Sequence, residues 1–315
     1  MKKLFVYVLL LLFLPGGCSG SLYSNLPSVE FQDIDYGFPT KNILSNPFIS
    51  YINVGEGKKT ILLIHGLASN AGFWRYVIPE LSKNYRVIAL DLPGYGKSEK
   101  GDYSYSMTFY ADQIKRFADE LKLDKFILVG HSMGGQIGIT FALKYPDRLE
   151  KLVLASPAGV EEFEQKESDW LRSVISIAGI KKTNEEDIRK NLAMNFYLWS
   201  DKWEWMVEER VRLIKAKDFD EFAYAVVRSV NAMLDEPTFD KIKNISVPTL
   251  IIYGKYDRLI PNPYLNPGLT SDLFKWGAKQ IPNCKIYEID KCGHMLQIEK
   301  PEEFSNAVLD FIRPT

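Results

Sequence analysis

The sequence has few cysteines, few histidines and little net charge, and each shortage excludes a class of protein. Its 315 residues include three cysteines and three histidines, with no Cys-x-x-Cys pair, so we expect no bound metal. The formal net charge of -1 gives no reason to expect nucleic acid as a partner. The longest apolar run, Leu4 to Leu14, has 11 residues, fewer than the roughly 20 that a membrane-spanning helix needs.

The first 17 residues are typical of an export signal, because Lys2 and Lys3 precede this apolar run. The run leads into Gly16-Gly17-Cys18, which resembles the lipobox of bacterial lipoproteins, although Pro15 replaces the usual aliphatic residue. The resemblance implies that the protein is exported to the cell envelope and anchored to a bacterial membrane through a lipid on Cys18. Ordinary secretion and a retained N-terminal anchor are the alternatives.

Residues 18–47 are rich in Ser, Asn, Pro and Gly, and we interpret them as a tether. Beyond residue 47, unbroken apolar runs alternate with helical patterns, which is typical of a doubly wound, mostly parallel α/β sheet with both faces covered. Strands are predicted at 48–54, 60–64, 85–90, 126–129, 149–155, 249–253 and 285–289, and helices at 73–81, 107–121, 136–145 and 301–312. The predicted core comprises 48–156 and 241–315.

The region 157–240 interrupts this alternation, because it contains helical patterns and no strand candidate. We therefore predict a helical cap, inserted into the core after the strand at 149–155. Aromatic and methionine side chains are dense between Asn195 and Met206. Such side chains usually form a small domain's own core, but this density also fits an apolar lining or entrance for a substrate.

A candidate nucleophile lies at the end of the strand at 126–129. This strand runs into Gly130-His131-Ser132-Met133-Gly134, and a helical pattern follows. A strand, a tight turn and a helix around Gly-x-Ser-x-Gly are typical of a nucleophile elbow. Gly130 and Gly134 would let neighbouring backbones pass closely, which leaves the Ser132 hydroxyl exposed at the tip of the turn.

A serine hydroxyl becomes a good nucleophile when a base takes its proton and a carboxylate orients that base. With three histidines, the base is found by elimination. His131 adjoins the serine on a tight turn, so its ring should point away. His65 opens the motif His65-Gly66-Leu67 after a strand, where we expect it to hold the loop by hydrogen bonding. His294 remains, just beyond the last strand, at the sheet edge where the serine lies.

Asp257, which follows the strand at 249–253, is the preferred carboxylate, and Glu161 and Glu162 are the alternatives. Attack on a carbonyl group places negative charge on its oxygen, which needs preset donors. We predict the backbone N–H groups of Met133 and Leu67 as these donors. The chain order of serine, acid and histidine is the one expected for an elbow.

Together these motifs resemble the α/β-hydrolase family over about Phe48 to Arg313, and within it the branch of serine lipases and esterases that includes monoacylglycerol lipases. The chain departs from the usual pattern at 262–280, which is longer than normal and would place an extra loop at the rim of the site. The matching pieces are His65-Gly66-Leu67 with Trp74, Asp91 to Ser98, Gly130 to Gly134, Gly254 with Asp257, Gly293-His294 and Glu299-Lys300-Pro301.

The resemblance implies the α/β-hydrolase fold and a serine hydrolase that cleaves carboxylic esters through an acyl-enzyme, without a cofactor. A small ester or a lipid is the expected substrate. The same triad also serves carbon–carbon bond hydrolases, amidases and perhydrolases, and a non-catalytic, lipid-anchored binding protein is a further alternative. Dehalogenases and epoxide hydrolases are disfavoured, because they carry an aspartate where Ser132 stands. The sequence makes no prediction of the oligomeric state.

Overall fold

The computed structural model of the protein describes residues 21–313. The predicted signal peptide and Cys18 lie outside the described residues. The described chain forms an eight-stranded sheet with the order β1-β2-β4-β3-β5-β6-β7-β8. The strands are β1 (Thr40–Ile43), β2 (Ile49–Val54), β3 (Thr60–Ile64), β4 (Arg86–Leu90), β5 (Phe126–His131), β6 (Leu149–Ala155), β7 (Thr249–Gly254) and β8 (Cys284–Ile289).

The sheet is parallel from β4 to β8, while β2 pairs antiparallel with both β1 and β4. Every residue of β3, β5 and β7 is buried, because helices cover both faces of the parallel part. The predicted doubly wound, mostly parallel α/β sheet is therefore confirmed. Parallel pairing also brings the carboxyl ends of β5, β7 and β8 to one edge of the sheet, where the three predicted triad residues follow their strands.

The helices are α1 (Ile78–Leu81), α2 (Met107–Glu120), α3 (Met133–Lys144), α4 (Gln165–Val174), α5 (Ile177–Lys181), α6 (Glu185–Ala193), α7 (Glu204–Leu213), α8 (Phe219–Asp235), α9 (Thr270–Gln280), α10 (Leu296–Glu299) and α11 (Pro301–Ile312). The single helix predicted at 73–81 is wrong, because a 3₁₀ turn at Ala71–Trp74 precedes the short α1. Within residues 21–313, no helix is long and apolar enough to cross a membrane.

The interpretation of residues 18–47 as a tether is wrong for the described part, 21–47. Residues 40–43 form the edge strand β1, and the side chains of Phe31, Ile34 and Tyr36 are buried in the core. The Tyr36 hydroxyl donates a hydrogen bond to the buried carboxylate of Asp91 at 2.8 Å. These three residues are isolated among polar ones, so they show no periodicity, yet each of them fills a place in the core.

The first described residues are bound to the cap. The carboxylate of Glu185, at the start of α6, accepts hydrogen bonds from the Ser21 hydroxyl at 2.6 Å and from the backbone N–H groups of Leu22, Tyr23 and Ser24 at 2.9–3.1 Å. Because these bonds oppose and outweigh the effect of burial, the pKa of Glu185 falls to about 2. The chain therefore enters the described structure along the cap and not at the free edge of the sheet.

Helices α4 to α8 lie between β6 and β7, in the region predicted to be the cap. The rings of Phe196 and Trp203 stack at 4.2 Å and are buried. They belong to an apolar cluster with Met206, and this cluster also includes Phe73 and Met295 of the core. Phe196, Trp203 and Met206 thus form the cap's own core and its contact with the sheet domain, while Tyr197, Trp199 and Trp205 are only partly buried.

Candidate active site

Ser132 occupies a strained turn between β5 and α3, with φ of 54° and ψ of -119°. A residue with a side chain rarely adopts such a conformation unless the surrounding structure holds it. Here the Ser132 N–H donates to the carbonyl oxygen of Ala155 at 3.0 Å, and the Ser132 carbonyl accepts from the N–H groups of Gly135 and Ala158 at 2.8 and 3.0 Å. The strand, tight turn and helix predicted around Ser132 are therefore present.

The two predicted glycines permit this turn. A Cβ atom at Gly130 would lie 2.1 Å from the carbonyl oxygen of Gly134, and one at Gly134 would lie 2.4 Å from that of Ile64. A side chain at either position would displace the backbone of the elbow or of the neighbouring strand β3. The Ser132 side chain remains partly accessible and forms no hydrogen bond within the described residues.

His294 and Asp257 form a buried pair, with 2.7 Å between His294 Nδ1 and Asp257 Oδ2. Burial alone would raise the pKa of Asp257. The charge of His294 and its hydrogen bond, together with the N–H groups of Leu259 and Ile260 at 2.8 and 3.2 Å from Oδ1, outweigh burial and lower that pKa. An ionised Asp257 therefore fixes the Nδ1–H tautomer of His294, which leaves Nε2 to accept a proton.

The backbone of His294 is held from two sides. Its N–H donates to the carbonyl oxygen of Asn195 in the cap at 2.7 Å, and its carbonyl oxygen accepts from Nε2 of His131 at 2.9 Å. Burial lowers the pKa of His131 to about 3, so this ring is neutral and donates. The sequence excludes His131 as the base but does not predict this contact, because 163 residues separate His131 from His294.

The predicted oxyanion loop also has the expected arrangement. His65 donates from Nδ1 to the carbonyl oxygen of Gly66 at 2.8 Å and accepts at Nε2 from the N–H of Leu92 at 3.1 Å. Burial lowers the pKa of His65 to about 4, so the neutral ring holds the loop. A Cβ at Gly66 would lie 3.1 Å from Cβ of Ser132, which shows that the loop passes against the elbow.

The N–H groups of Leu67 and Met133 have no hydrogen-bond partner among residues 21–313. Met133 is the first residue of α3, where the N–H groups of a helix are free and the helix dipole favours negative charge. Leu67 lies in the loop that Gly66 brings against the elbow. Both N–H groups are thus available to a carbonyl oxygen beside Ser132.

Glu161 and Glu162, the alternative acids, do not contact His294. The Glu161 carboxylate accepts from the N–H of Asn262 at 2.7 Å and from Nδ2 of Asn266 at 2.9 Å. Burial raises the pKa of Glu161 to about 7. Glu161 therefore fastens the long loop after Asp257 to the start of the cap.

A cationic side chain from the cap lies beside the predicted oxyanion loop, and it was not predicted from the sequence. Arg210 of α7 donates from Nη2 to the carbonyl oxygen of Ala68, the residue after Leu67. Its helix neighbour Glu209 accepts from Nδ2 of Asn70 at 2.8 Å instead, and burial raises the pKa of Glu209. Arg210 forms no ion pair within the described part of the chain. Its charge interacts at longer range with the carboxyl of Glu209, and the guanidinium lies over the ring of Phe222, 5.4 Å from its centroid.

Comparison with known proteins identifies the fold family. The family model described as the alpha/beta hydrolase fold matches residues 59–301. The chain belongs to the α/β-hydrolase family.

Among similar members of this family is a 2-hydroxy-6-oxononadienedioate/2-hydroxy-6-oxononatrienedioate hydrolase of Pseudomonas putida. It is 30% identical over 274 residues, which cover 84% of this chain and 91% of that protein. The structure of a probable hydrolytic enzyme from Pseudomonas aeruginosa has a TM-score of 0.80 at 27% identity, and covers 91% of this chain and 99% of that one. The structure of a meta-cleavage product hydrolase from Pseudomonas fluorescens has a TM-score of 0.68 at 30% identity, and the match covers 86% of this chain and 96% of that one.

Proposed function

We propose that this α/β-hydrolase uses Ser132 as its nucleophile, His294 as its acid and base, and Asp257 to orient His294. The main observation in support of this proposal is that His294 is held in one orientation. Its Nδ1 is bonded to Asp257 at 2.7 Å, and both ends of its backbone are held, so that Nε2 alone is free for proton transfer. Ser132 lies at the same sheet edge, on an elbow whose hydroxyl has no competing partner within residues 21–313.

The reaction follows from these groups. Ser132 Oγ adds to a carbonyl carbon while His294 Nε2 takes the hydroxyl proton, and the N–H groups of Leu67 and Met133 stabilise the oxyanion. When the tetrahedral intermediate collapses, the leaving group departs with its bonding electron pair and takes the proton from His294. Water, deprotonated by His294, then attacks the acyl-enzyme and releases a carboxylic acid and free Ser132.

For the bond that is cleaved, we propose a carbon–carbon bond next to a ketone in an anionic substrate. A carbon leaving group needs a conjugated carbonyl group to hold its electron pair. In a 2-hydroxy-6-oxo-dienoate the hydroxyl proton must therefore first move to the carbon next to the ketone, which turns the hydroxyl end into a second ketone. That carbon then leaves as an enolate conjugated with the new ketone, and the enolate takes the proton from His294. The Pseudomonas putida relative is a 2-hydroxy-6-oxononadienedioate/2-hydroxy-6-oxononatrienedioate hydrolase, and this name specifies an oxo group and two carboxylates in its substrate. The identity of 30% over most of both chains supports the same type of substrate here.

Arg210 supports an anionic substrate independently of the relatives. A largely buried guanidinium without a paired carboxylate is costly, and a substrate carboxylate could form two parallel hydrogen bonds with it. The bond from Arg210 to Ala68 places this charge one residue from the Leu67 N–H. A substrate whose ketone oxygen points to Leu67 would therefore carry its carboxylate toward the cap.

A carboxylic ester is the second candidate, and one observation favours it. In the described chain His294 bonds to Asp257, Asn195 and His131 only, so the site supplies a single group for proton transfer. An alkoxide leaving group needs one proton, which His294 can supply. A carbon leaving group needs a further proton transfer to carbon. Cleavage of an ester is consistent with a site that has one group for proton transfer. Cleavage of a carbon–carbon bond in an anionic substrate gives the positive charge of Arg210 a function.

Two substrates distinguish the candidates. We expect a 2-hydroxy-6-oxo-dienoate to be cleaved with a kcat/KM at least about tenfold above that of p-nitrophenyl butyrate, as transition-state binding of its carboxylate would give. Cleavage of the dienoate is followed by the loss of its absorbance, and hydrolysis of the ester by the release of nitrophenolate. Turnover of the ester alone would establish the second candidate and exclude the first.

We also propose that the protein is exported and anchored to a bacterial membrane through a lipid on Cys18. Ser21 is bound to the cap at Glu185, and Cys18 precedes it by three residues, which span at most about 10 Å. An anchor at Cys18 would therefore hold the cap side of the molecule toward the membrane. The test is the partitioning of a Cys18→Ser variant, which should leave the membrane fraction, whereas unchanged partitioning would indicate a retained N-terminal anchor.

A further inference from the structure

A short segment of the cap crosses directly over the loop that carries His294. We call this segment, residues 195–198, the crosspiece. The carbonyl oxygen of Asn195 accepts hydrogen bonds from the N–H groups of His294 at 2.7 Å and Met295 at 3.2 Å. A Cβ atom at Gly293 would lie only 2.6 Å from that oxygen. The backbone of the cap and the backbone of the histidine loop are therefore in contact, with no side chain between them.

One carboxylate fastens the two segments together. Glu299, at the end of α10, accepts at Oε2 from the N–H of Gly293 at 2.7 Å. It also accepts from the N–H of Tyr197 at 3.0 and 3.2 Å, and from that of Leu198 at 3.4 Å. An ionised carboxylate is an acceptor at both oxygens, so it can satisfy donors from both segments at once.

We propose that Glu299 is a positioning residue, which holds the crosspiece against the histidine loop and thereby sets the place of His294 Nε2 relative to Ser132. The proposal rests on the proposed attack by Ser132. Glu299 acts through His294 and does not touch the substrate. The crosspiece binds the backbone N–H of His294, and His131 binds its carbonyl oxygen. Releasing the first contact would leave His294 fixed at one end of its backbone.

The crosspiece also contacts the loop of the acid. The rings of Tyr197 and Tyr256 lie 4.6 Å apart, and Tyr256 directly precedes Asp257. A displaced crosspiece would thus disturb both loops that carry the histidine and the acid. Because acid–base catalysis depends on hydrogen-bond geometry, such a displacement should lower kcat without a matching change in KM.

The test compares Glu299→Gln with Glu302→Gln. The amide introduced by the first substitution would present a donor where the structure needs an acceptor, whereas Glu302 is exposed and carries the same charge on the neighbouring helix. We expect kcat for p-nitrophenyl butyrate to fall about tenfold to hundredfold in the first variant, with KM changed by less than about threefold. The rate of Ser132 labelling by a fluorophosphonate should fall by a similar factor, and Glu302→Gln should match the wild type.

Gly293→Ala is the second variant, because it pushes the crosspiece away without changing any charge. It should reproduce the loss of kcat and of labelling rate. Both variants are assayed well below their melting temperatures, with activity expressed per folded molecule. If both variants melt earlier but keep wild-type kcat and labelling rate, Glu299 only stabilises the fold and the inference is overturned. A rise in KM at constant kcat, or an equal loss in Glu302→Gln, would also overturn it. If wild-type protein is not labelled at Ser132, the proposed function fails instead.

Discussion

The ring of His131 donates a hydrogen bond from Nε2 to the backbone oxygen of His294, at 2.9 Å. The residue beside the proposed nucleophile thus holds the residue that we propose to activate it. The two rings lie 4.8 Å apart, so the elbow and the histidine loop form one packed unit. This relationship gives His131 a role that is separate from proton transfer.

Replacing His131 by phenylalanine should therefore weaken catalysis without changing its pH dependence. The variant keeps a ring but loses the donor to His294, so we expect kcat to fall about two- to tenfold. Because burial lowers the pKa of His131 to about 3, the ring is neutral throughout the working range. The pH–rate profile above pH ~5 should keep its shape, and a shifted acidic limb in His131→Phe would contradict this role.

Asp257→Asn should cost about three to four orders of magnitude in kcat, because an amide cannot hold His294 in the Nδ1–H tautomer or stabilise its protonated form. Circular dichroism should show a folded protein. Glu161→Gln is the matched control, since Glu161 was the alternative acid and bonds to Asn262 and Asn266 instead. A loss in Glu161→Gln as large as that in Asp257→Asn would reverse the assignment of the acid.

Arg210→Met should separate anionic from neutral substrates. Methionine fills much of the same space but has no charge, so kcat/KM for a 2-hydroxy-6-oxo-dienoate should fall about tenfold to hundredfold. Hydrolysis of p-nitrophenyl acetate should change by less than about threefold. Arg212→Met, on the same helix but bonded to Glu208 and Pro27, is the control. Equal losses on both substrates would mean that Arg210 supports the Ala68 loop and does not bind an anion.

The contact between Glu185 and the N-terminal segment should be released by acid. The pKa of Glu185 is about 2 in the folded protein, against 4.5 ordinarily, so the folded state binds its proton less readily than the unfolded state. The contact is therefore fully present above pH ~4.5 and is lost as the pH falls toward 2.

Hydrogen exchange of residues 21–24 is the measurement for this contact. Protection should be high at pH 6 and should already be reduced at pH 6 in Glu185→Gln. Glu186→Gln, which loses only an exposed ion pair with Lys190, should behave as the wild type. Equal protection in the Glu185 and Glu186 variants would show that the carboxylate of Glu185 does not hold the segment.

Much of the sheet was predictable because its strands are buried on both faces. The runs at 60–64 and 249–253 are apolar after a first threonine, and each one forms a strand in the structure. The elbow was predictable for a related reason, since Gly130 is required by a local crossing with the backbone of Gly134. These are features in which a short stretch of sequence determines its own structure.

Contacts between distant parts of the chain were not predictable. Strand β1 depends on pairing with β2, and its sequence, Thr-Lys-Asn-Ile, has no pattern of its own. The roles proposed for Arg210 and Glu299 depend on where the cap lies over the core, which composition and periodicity do not determine. The dense aromatic side chains of the cap were ambiguous for the same reason, and the structure places Phe196 and Trp203 in its core.

The central claim is that Ser132 is a nucleophile activated by His294, and covalent labelling tests it most directly. Wild-type protein, Ser132→Ala and His294→Ala are incubated with a fluorophosphonate, from which an activated serine displaces fluoride, and are analysed by intact mass and peptide mapping. We expect the wild type to gain one phosphonyl group on Ser132, Ser132→Ala to gain none, and His294→Ala to react at least about a thousandfold more slowly. An unlabelled wild type, or a Ser132→Ala variant labelled to the same extent, would contradict the account.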